Sequence, residues 1–350
     1  MDLNEIFELA KKKKASDIHI IVGKPPILRI NGMLNEITSE KPITPTMSEN
    51  LIFKLLNPQQ KERLIQEKEL DMSVEIEDET RFRVNCHYEK DSLGMVARLV
   101  PAEIPTLEDI HANEIMHELT KLDNGLVLVT GPTGHGKSTT LAAMIDAINS
   151  ERSAHIVTLE DPTEFIFKPK KSIIRQRQLG TDMVSFESGL KHILRQDPNI
   201  IMVGEMRDLE TIGSAITLAE TGHLVLATLH TQTAAQTIDR IIDIFPPHQQ
   251  DQIRIQLSMT LQAVISQRLL PGSGEDGKRV AVREIMLNTP AVANMIRENK
   301  ISQIKSSIQT SAGEGMLTMD QDIVRAYKGG LIDKETAETH ISDPSLVRKL

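Results

Sequence analysis

Apolar residues follow two rhythms along this chain. Up to about residue 112 they come as short alternations and small amphipathic stretches. LNEIFELAKKKK reads as a short amphipathic helix, and IHIIV and PILRI read as strands. Asn31-Gly32 is a hairpin turn signal, because that dipeptide accepts the positive φ angles of a tight turn. SENLIFKLLNPQQKERLIQEKE reads as helices broken near Pro58. SVEIEDETRFRVNCHYEKDSLGMVARLV predicts a strand meander, with alternation at Phe82, Val84 and Cys86 and turns at Asp78-Glu79 and Asp91-Ser92. PAEIPTLEDI, with two prolines, reads as a linker.

From Leu126 the rhythm changes. Short unbroken apolar runs recur as LVLVT, HIVTL, NIIMVG and HLVLATLH, with helical segments between them. Strands buried on both faces read this way, and their alternation with helices predicts a mostly parallel sheet. Such sheets bind ligands at the carboxyl ends of their strands. Thr130, Glu160, Asp161, Glu205 and His230 fall at those ends. After Pro271, PGSGEDGKR reads as a turn between two strands, and residues 290–350 read mostly as helices, including PAVANMIRE and MDQDIVRAYKGG. The expected organisation is an α/β domain over 1–112 and a second α/β domain over 113–350 that ends in helices.

Composition narrows this little. A chain of 350 residues suggests two or three domains. The net charge of −9 argues mildly against a dedicated nucleic-acid binder, whose footprint is basic. One cysteine, Cys86, excludes an internal disulfide and a four-cysteine zinc site and fits a reducing compartment. No stretch approaches the ~18 uninterrupted apolar residues of a membrane span, and the acidic start is unlike a signal peptide, so no direct membrane insertion is expected. Lys11 to Lys14 read as a basic end to the first helix, favourable against its dipole.

The chemistry starts at GPTGHGKSTT, directly after LVLVT. Gly131, Gly136, Lys137 and Ser138 satisfy G-x-x-x-x-G-K-[ST], with a strand before and a helix after. Glycines let backbone N–H groups turn toward phosphate oxygens, and the helix N-terminus adds partial positive charge. The nucleotide-binding set is therefore Thr133, Gly134, His135, Gly136, Lys137, Ser138 and Thr139. ATP is the expected nucleotide, with Mg²⁺ held by Ser138, Glu160 and Asp161. His135 is either a γ-phosphate sensor or a tolerated side chain pointing to solvent on a loop that works through its backbone, and the second is adopted.

Three further blocks supply acids and histidines. In VTLEDPTEF, Glu160, Asp161 and Glu164 are either a carboxylate cluster for Mg²⁺ and water or a solvated turn. In NIIMVGEMRDLET, an apolar strand delivers Glu205, with Gly204 where an Asp often stands, which favours Glu205 as the residue that polarises water. In GHLVLATLHT, His223 and His230 bracket a strand at an odd separation, so they face opposite sides, and His230 lies at the carboxyl end near the nucleotide. His111 and His117 do not form a zinc-protease pattern.

These four blocks, in this order, resemble the secretion ATPases of type II secretion and type IV pili, where they are the Walker A, Asp box, Walker B and His box. The resemblance spans nearly the whole chain. ASDIHI, RFRVN and NTPAVANMIRE look like its pilus-retraction subgroup. The departures are His135, where Ser or Thr is usual, and Val292, Ala293 and Met295 in the C-terminal segment. Ala293 replaces an arginine whose role therefore cannot be carried over.

The resemblance implies a PAS-like N-terminal domain, a RecA-like ATPase domain, ATP between them, and a homohexameric ring. The ring would dock on an inner-membrane pilus platform protein at the cytoplasmic face, with a paralogous ATPase as a further partner. It also implies arginines that meet the phosphates. Arg83 and Arg98 match best, with Arg81 nearby; the alternative is cross-strand pairing with Glu75 or Glu77, and the resemblance favours the phosphate role for Arg83 and Arg98. The expected catalytic set is Glu205, Glu164, Arg83, Arg98 and His230. Extension and secretion members carry four zinc-binding cysteines, which this chain lacks. An accessory retraction ATPase, a RecA-like nucleic-acid motor and a nucleotide-gated scaffold are the remaining alternatives. Scarce aromatics count against nucleic acid.

Overall fold

The computed structural model describes residues 2–30, 32–76, 80–100, 103–274 and 278–347. Asn31, Glu77, the Asp78-Glu79 turn and residues 275–277 of the PGSGEDGKR turn lie outside the described residues. The chain divides into two compact units. One comprises Met1–Glu103 with Pro162–Ile166, and the other comprises Ile104–Asp161 with Phe167–Leu350.

The first unit is built on an antiparallel sheet. Its strands are β1 (Asp17–Ile20), β2 (Ile27–Ile30), β3 (Met33–Glu36), β4 (Glu69–Glu75), β5 (Arg81–Glu89) and β6 (Ser92–Leu99), ordered β3-β2-β1-β6-β5-β4. The first helix, Leu3–Lys12, starts at a capping box: Asp2 accepts from the Glu5 amide and Glu5 from the Asp2 amide. Lys11 and Lys12 lie in its last turn, against the dipole as expected. Its buried stripe of Leu3, Ile6, Phe7 and Ala10 packs on the sheet, where Phe7 meets Phe82 at 4.6 Å between ring centroids. Helices Pro45–Phe53 and Pro58–Glu67 break before Pro58, which sits at the first helical position where its missing N–H costs nothing.

The second unit is organised by a sheet with strands β7 (Gly125–Thr130), β8 (His155–Glu160), β9 (Ile173–Gln178), β10 (Ile200–Val203), β11 (Leu224–Leu229), β12 (Leu261–Pro271) and β13 (Arg279–Leu287). The order is β13-β12-β7-β11-β10-β8-β9. All neighbours are parallel except β12 and β13. The apolar runs of β7, β10 and β11 are buried along their whole length. Each Leu, Ile or Val so buried contributes about 1.5–3 kcal/mol. β9 interrupts the expected pattern: IIRQRQ has no apolar run because it is a half-exposed edge strand.

A second core, with Leu270, Val282, Ile323 and Ala326, joins β12 and β13 to the Met319–Lys328 helix. Beside it lies a buried acid. Asp322 accepts the Arg283 backbone N–H at 2.7 Å and meets Arg325 Nε at 2.7 Å. Both Asp322 and the Arg283 side chain are fully buried. Burial therefore pushes the Asp322 carboxyl up, against the pull of Arg325, and draws Arg283 down to about 10.

Candidate active site

The carboxyl ends of β7, β10 and β11 converge on one polar cluster. After β7 the chain turns through residues 131–136 into the Lys137–Glu151 helix. Gly136 caps that helix at φ +78°, a left-handed conformation glycine adopts freely. Lys137 is buried, and its ammonium is held inside the loop by the carbonyls of Gly131 at 2.8 Å and Pro132 at 3.1 Å.

Glu205 follows β10 by two residues. Gly204 is the reason the acid comes one place late. Its N–H donates to the Leu159 carbonyl, and a Cβ there would lie 3.2 Å from that oxygen and 3.4 Å from the Glu160 Cα. His230 follows β11, and its Nε2 lies 2.7 Å from Glu205 Oε1. An ionised carboxylate only accepts, so the neutral ring must carry its proton on Nε2. Nδ1 is then an acceptor facing the loop, 3.4 Å from both Thr133 Oγ1 and Lys137 Nζ. The result is a continuous path from Lys137 and Thr133 through His230 to Glu205.

Burial works against the Glu205 charge, but the hydrogen bond from Arg207 (2.8 Å) and the nearby His230 outweigh it and hold the carboxyl below the usual range. A cleft of about 370 Å³ opens beside this cluster, with Asp161, Glu205, Arg207 and Asp208 in its wall. Glu160 ends β8 with its Oε1 accepting from Thr158 Oγ1 at 2.6 Å and Gln176 Nε2 at 3.0 Å. Ser138 and Thr139 open the helix after the loop, partly exposed. Among the described residues, no group of three or more His, Cys, Asp or Glu side chains could hold a metal ion.

This chain is matched over residues 1–329 by the family model for type II/IV secretion system proteins. It belongs to that family. It is 44% identical to the type IV pilus retraction ATPase PilT of Pseudomonas aeruginosa over 344 residues, covering 98% of this chain and 99% of that protein. It is 46% identical to a twitching motility protein of Neisseria gonorrhoeae over 316 residues, 89% of this chain and 83% of that protein. Its structure is similar to that of the pilus retraction motor PilT with bound ADP, at a TM-score of 0.92 and 44% identity over the full length of both chains.

Other candidate residues have partners of their own. Arg83 and Glu164, both in the first unit, bond to each other at 3.0 Å. Arg98 bonds Asp17 at 2.8 Å, and of the three arginines Arg81 takes Glu75. His223 bonds the Leu218 carbonyl and the Thr221 hydroxyl, a packing position.

One expectation is overturned. The His135 side chain does not point idly to solvent: its Nδ1 accepts the Leu269 backbone N–H at 2.9 Å. Burial and then the charges of Arg279, Lys137 and Arg268 push its pKa down, which favours the neutral ring that this bond requires. Three residues carried no motif signal. Gln267 bonds the loop from β12, Arg279 donates to the Gly134 carbonyl at 3.2 Å, and Arg207 pairs with Glu205. Arg207 lay within the acidic block and could have been inferred from its nearness to Glu205.

Proposed function

We propose that this protein is an ATP-hydrolysing motor that drives type IV pilus retraction. The observation that carries the reading is the contact path from Lys137 through His230 to Glu205. It joins a phosphate-binding loop to the carboxylate best placed to polarise a water. ATP is the substrate. The loop residues Thr133 to Thr139 bind its phosphates, with Lys137 supplying the charge for the β and γ groups. His230 presents one ring nitrogen to the loop and the other to Glu205, so the occupancy of the loop is felt at the carboxylate.

The oxygen donors Ser138, Glu160 and Asp161 suit Mg²⁺, a hard ion. Among the described residues no side-chain cluster could hold the ion alone, and its shell would be shared with phosphate and water. When bound, Mg²⁺ neutralises phosphate charge. Glu164 is assigned to orienting water, and Arg83 and Arg98 to charge developing on the transferring phosphoryl group.

The assembly is a homohexamer docked on an inner-membrane pilus platform protein at the cytoplasmic face, with a paralogous ATPase as a further partner. No helix among the described residues is long and apolar enough to cross a membrane, which is consistent with attachment through a partner. The family resemblance and the likeness to PilT support retraction as the direction of work. Two measurements test the reading. Wild type should turn over Mg-ATP far faster than Glu205→Gln, and equal rates would end the motor assignment. Deletion should leave cells with excess pili that do not retract, restored by complementation, whereas loss of surface pili would reverse the direction.

A further inference from the structure

The phosphate loop is gripped from β12 at several points. Gln267 is almost fully buried in that strand. Its Nε2 donates to the His135 carbonyl at 2.8 Å. Its Oε1 accepts from Thr140 Oγ1, in the first turn of the helix after the loop, at 2.8 Å and from Arg283 Nε at 3.0 Å. Two donors on Oε1 fix which way the amide faces, so only Nε2 is free to hold the loop. The next residue but one, Leu269, holds the His135 ring through its N–H. The Gln267 backbone also lies against Gly131, where a Cβ would come within 2.3 Å of its carbonyl oxygen.

Arg283 has further ties. Its two terminal nitrogens donate to the carbonyls of His111 at 3.2 Å and Ile110 at 3.0 Å, in the segment that precedes the Glu114–Thr120 helix. His111 is held at φ +51°, a left-handed conformation uncommon outside glycine. One buried guanidinium therefore joins the 104–112 segment to the amide that grips the phosphate loop.

We propose that Gln267 and Arg283 are positioning residues for nucleotide binding, Gln267 holding the phosphate loop in its binding shape and Arg283 orienting Gln267 from the 104–112 segment. The proposal rests on the assignment of the loop to nucleotide binding. A loop no longer held must be ordered by the ligand itself, so apparent affinity falls by the fraction of time the loop is correctly shaped. The effect belongs in nucleotide affinity and KM rather than in kcat, because neither residue touches Glu205 or His230.

The test uses the full chain, with binding of a fluorescent ADP and steady-state Mg-ATP turnover. Gln267→Met keeps volume and neutrality and loses the amide. Gln267→Glu keeps an acceptor for Thr140 and Arg283, loses the donor to His135, and adds a negative charge beside the buried Arg283. Both should raise the ADP Kd and the KM for ATP about tenfold, roughly the worth of one or two hydrogen bonds. In both, kcat should change less than threefold and the fold should remain cooperative. Arg283→Met strips partners from buried carbonyls, so Arg283→Lys is measured beside it. Arg283→Lys should raise Kd by a smaller factor, and combining it with Gln267→Met should add nothing further. It should also increase amide hydrogen exchange in residues 104–112, which Gln267→Met should leave unchanged. Wild-type Kd in both folded Gln267 variants, or multiplying effects in the double variant, would overturn the proposal. Wild type that binds ADP without turnover would instead strike only the motor reading.

Discussion

Arg83 and Arg98 stand directly opposite each other across the β5–β6 ladder. Directly opposed residues share a face, and like charges so placed are unfavourable. Each is offset by its own acid, and the two acids differ. Asp17 is buried, whereas Glu164 is 41% exposed. A pair partly exposed on both sides contributes only about 0–1 kcal/mol, whereas Arg98, itself 68% exposed, is held by a buried acid, so Arg83 is the more easily released to a phosphate.

Arg83→Ala should therefore cost little stability and much activity. Removing an arginine that stabilises the transferring phosphoryl group lowers turnover by about a thousandfold in comparable phosphoryl-transfer sites. Urea unfolding of Arg83→Ala should lie within about 1 kcal/mol of wild type. Normal turnover in this variant would remove Arg83 from the catalytic set.

Arg98 should behave differently because its partner is buried. Burial works against the Asp17 charge, yet hydrogen bonds from Arg98 and Ser16 and the charges of Arg98 and Arg29 outweigh it, so the carboxyl lies below its usual value. A depressed folded pKa means the stabilisation is present above the unfolded value, near 3.8, and is lost as pH falls through the folded value. Arg98→Ala should thus lose stability at neutral pH, by about 1–3 kcal/mol for a buried acceptor stripped of a charged donor. The gap from wild type should narrow as pH drops below 3.8. A pH-independent gap would mean that Arg98 acts through packing alone.

How far the sequence exposed the site depended on whether a residue signals through its neighbours. The runs of β7, β10 and β11 were legible because strands buried on both faces must be unbroken and apolar. Glu205 and His230 were legible because they end such runs. β9 was not, since an edge strand needs no apolar run and IIRQRQ shows none. Gln267 is one polar residue in a buried strand, and its meaning lies in His135, which is 132 positions away in sequence. His135 itself was conspicuous in its loop, but its partner Leu269 is equally remote, so local reading left the ring facing solvent. The pairing of Arg83 with Glu164, 81 positions apart, was hidden for the same reason.

The path from loop to carboxylate predicts separable losses. Lys137→Ala should abolish measurable binding of fluorescent ADP, because the buried ammonium is the loop's own positive charge. Glu205→Ala should bind ADP normally and lose turnover by about a hundredfold or more, as expected for a general base or water-orienting group. His230→Ala should fall between them, lowering kcat about tenfold while leaving ADP affinity near wild type, since its ring touches the loop through one 3.4 Å contact each to Thr133 and Lys137. Loss of ADP binding in Glu205→Ala would mean that the carboxylate shapes the loop rather than the reaction.

Two of the loop glycines, Gly131 and Gly134, should respond very differently to the same methyl group. Both have positive φ, +143° and +77°. At Gly134 an added Cβ meets nothing within 4 Å, so Gly134→Ala bears only the backbone cost of a left-handed residue, about 1–2 kcal/mol. At Gly131 the Cβ would fall 2.3 Å from the Gln267 carbonyl oxygen and 3.3 Å from its carbon. That carbonyl belongs to β12, which is locked in the sheet between β7 and β13. Neither side can retreat without breaking a ladder, so Gly131→Ala should destabilise by about 4 kcal/mol or more, in the range reserved for steric clashes in the core. Urea unfolding of the two variants checks this directly. Equal losses at the two positions would show that backbone conformation, and not the close approach of β12, is what requires glycine at the start of the loop.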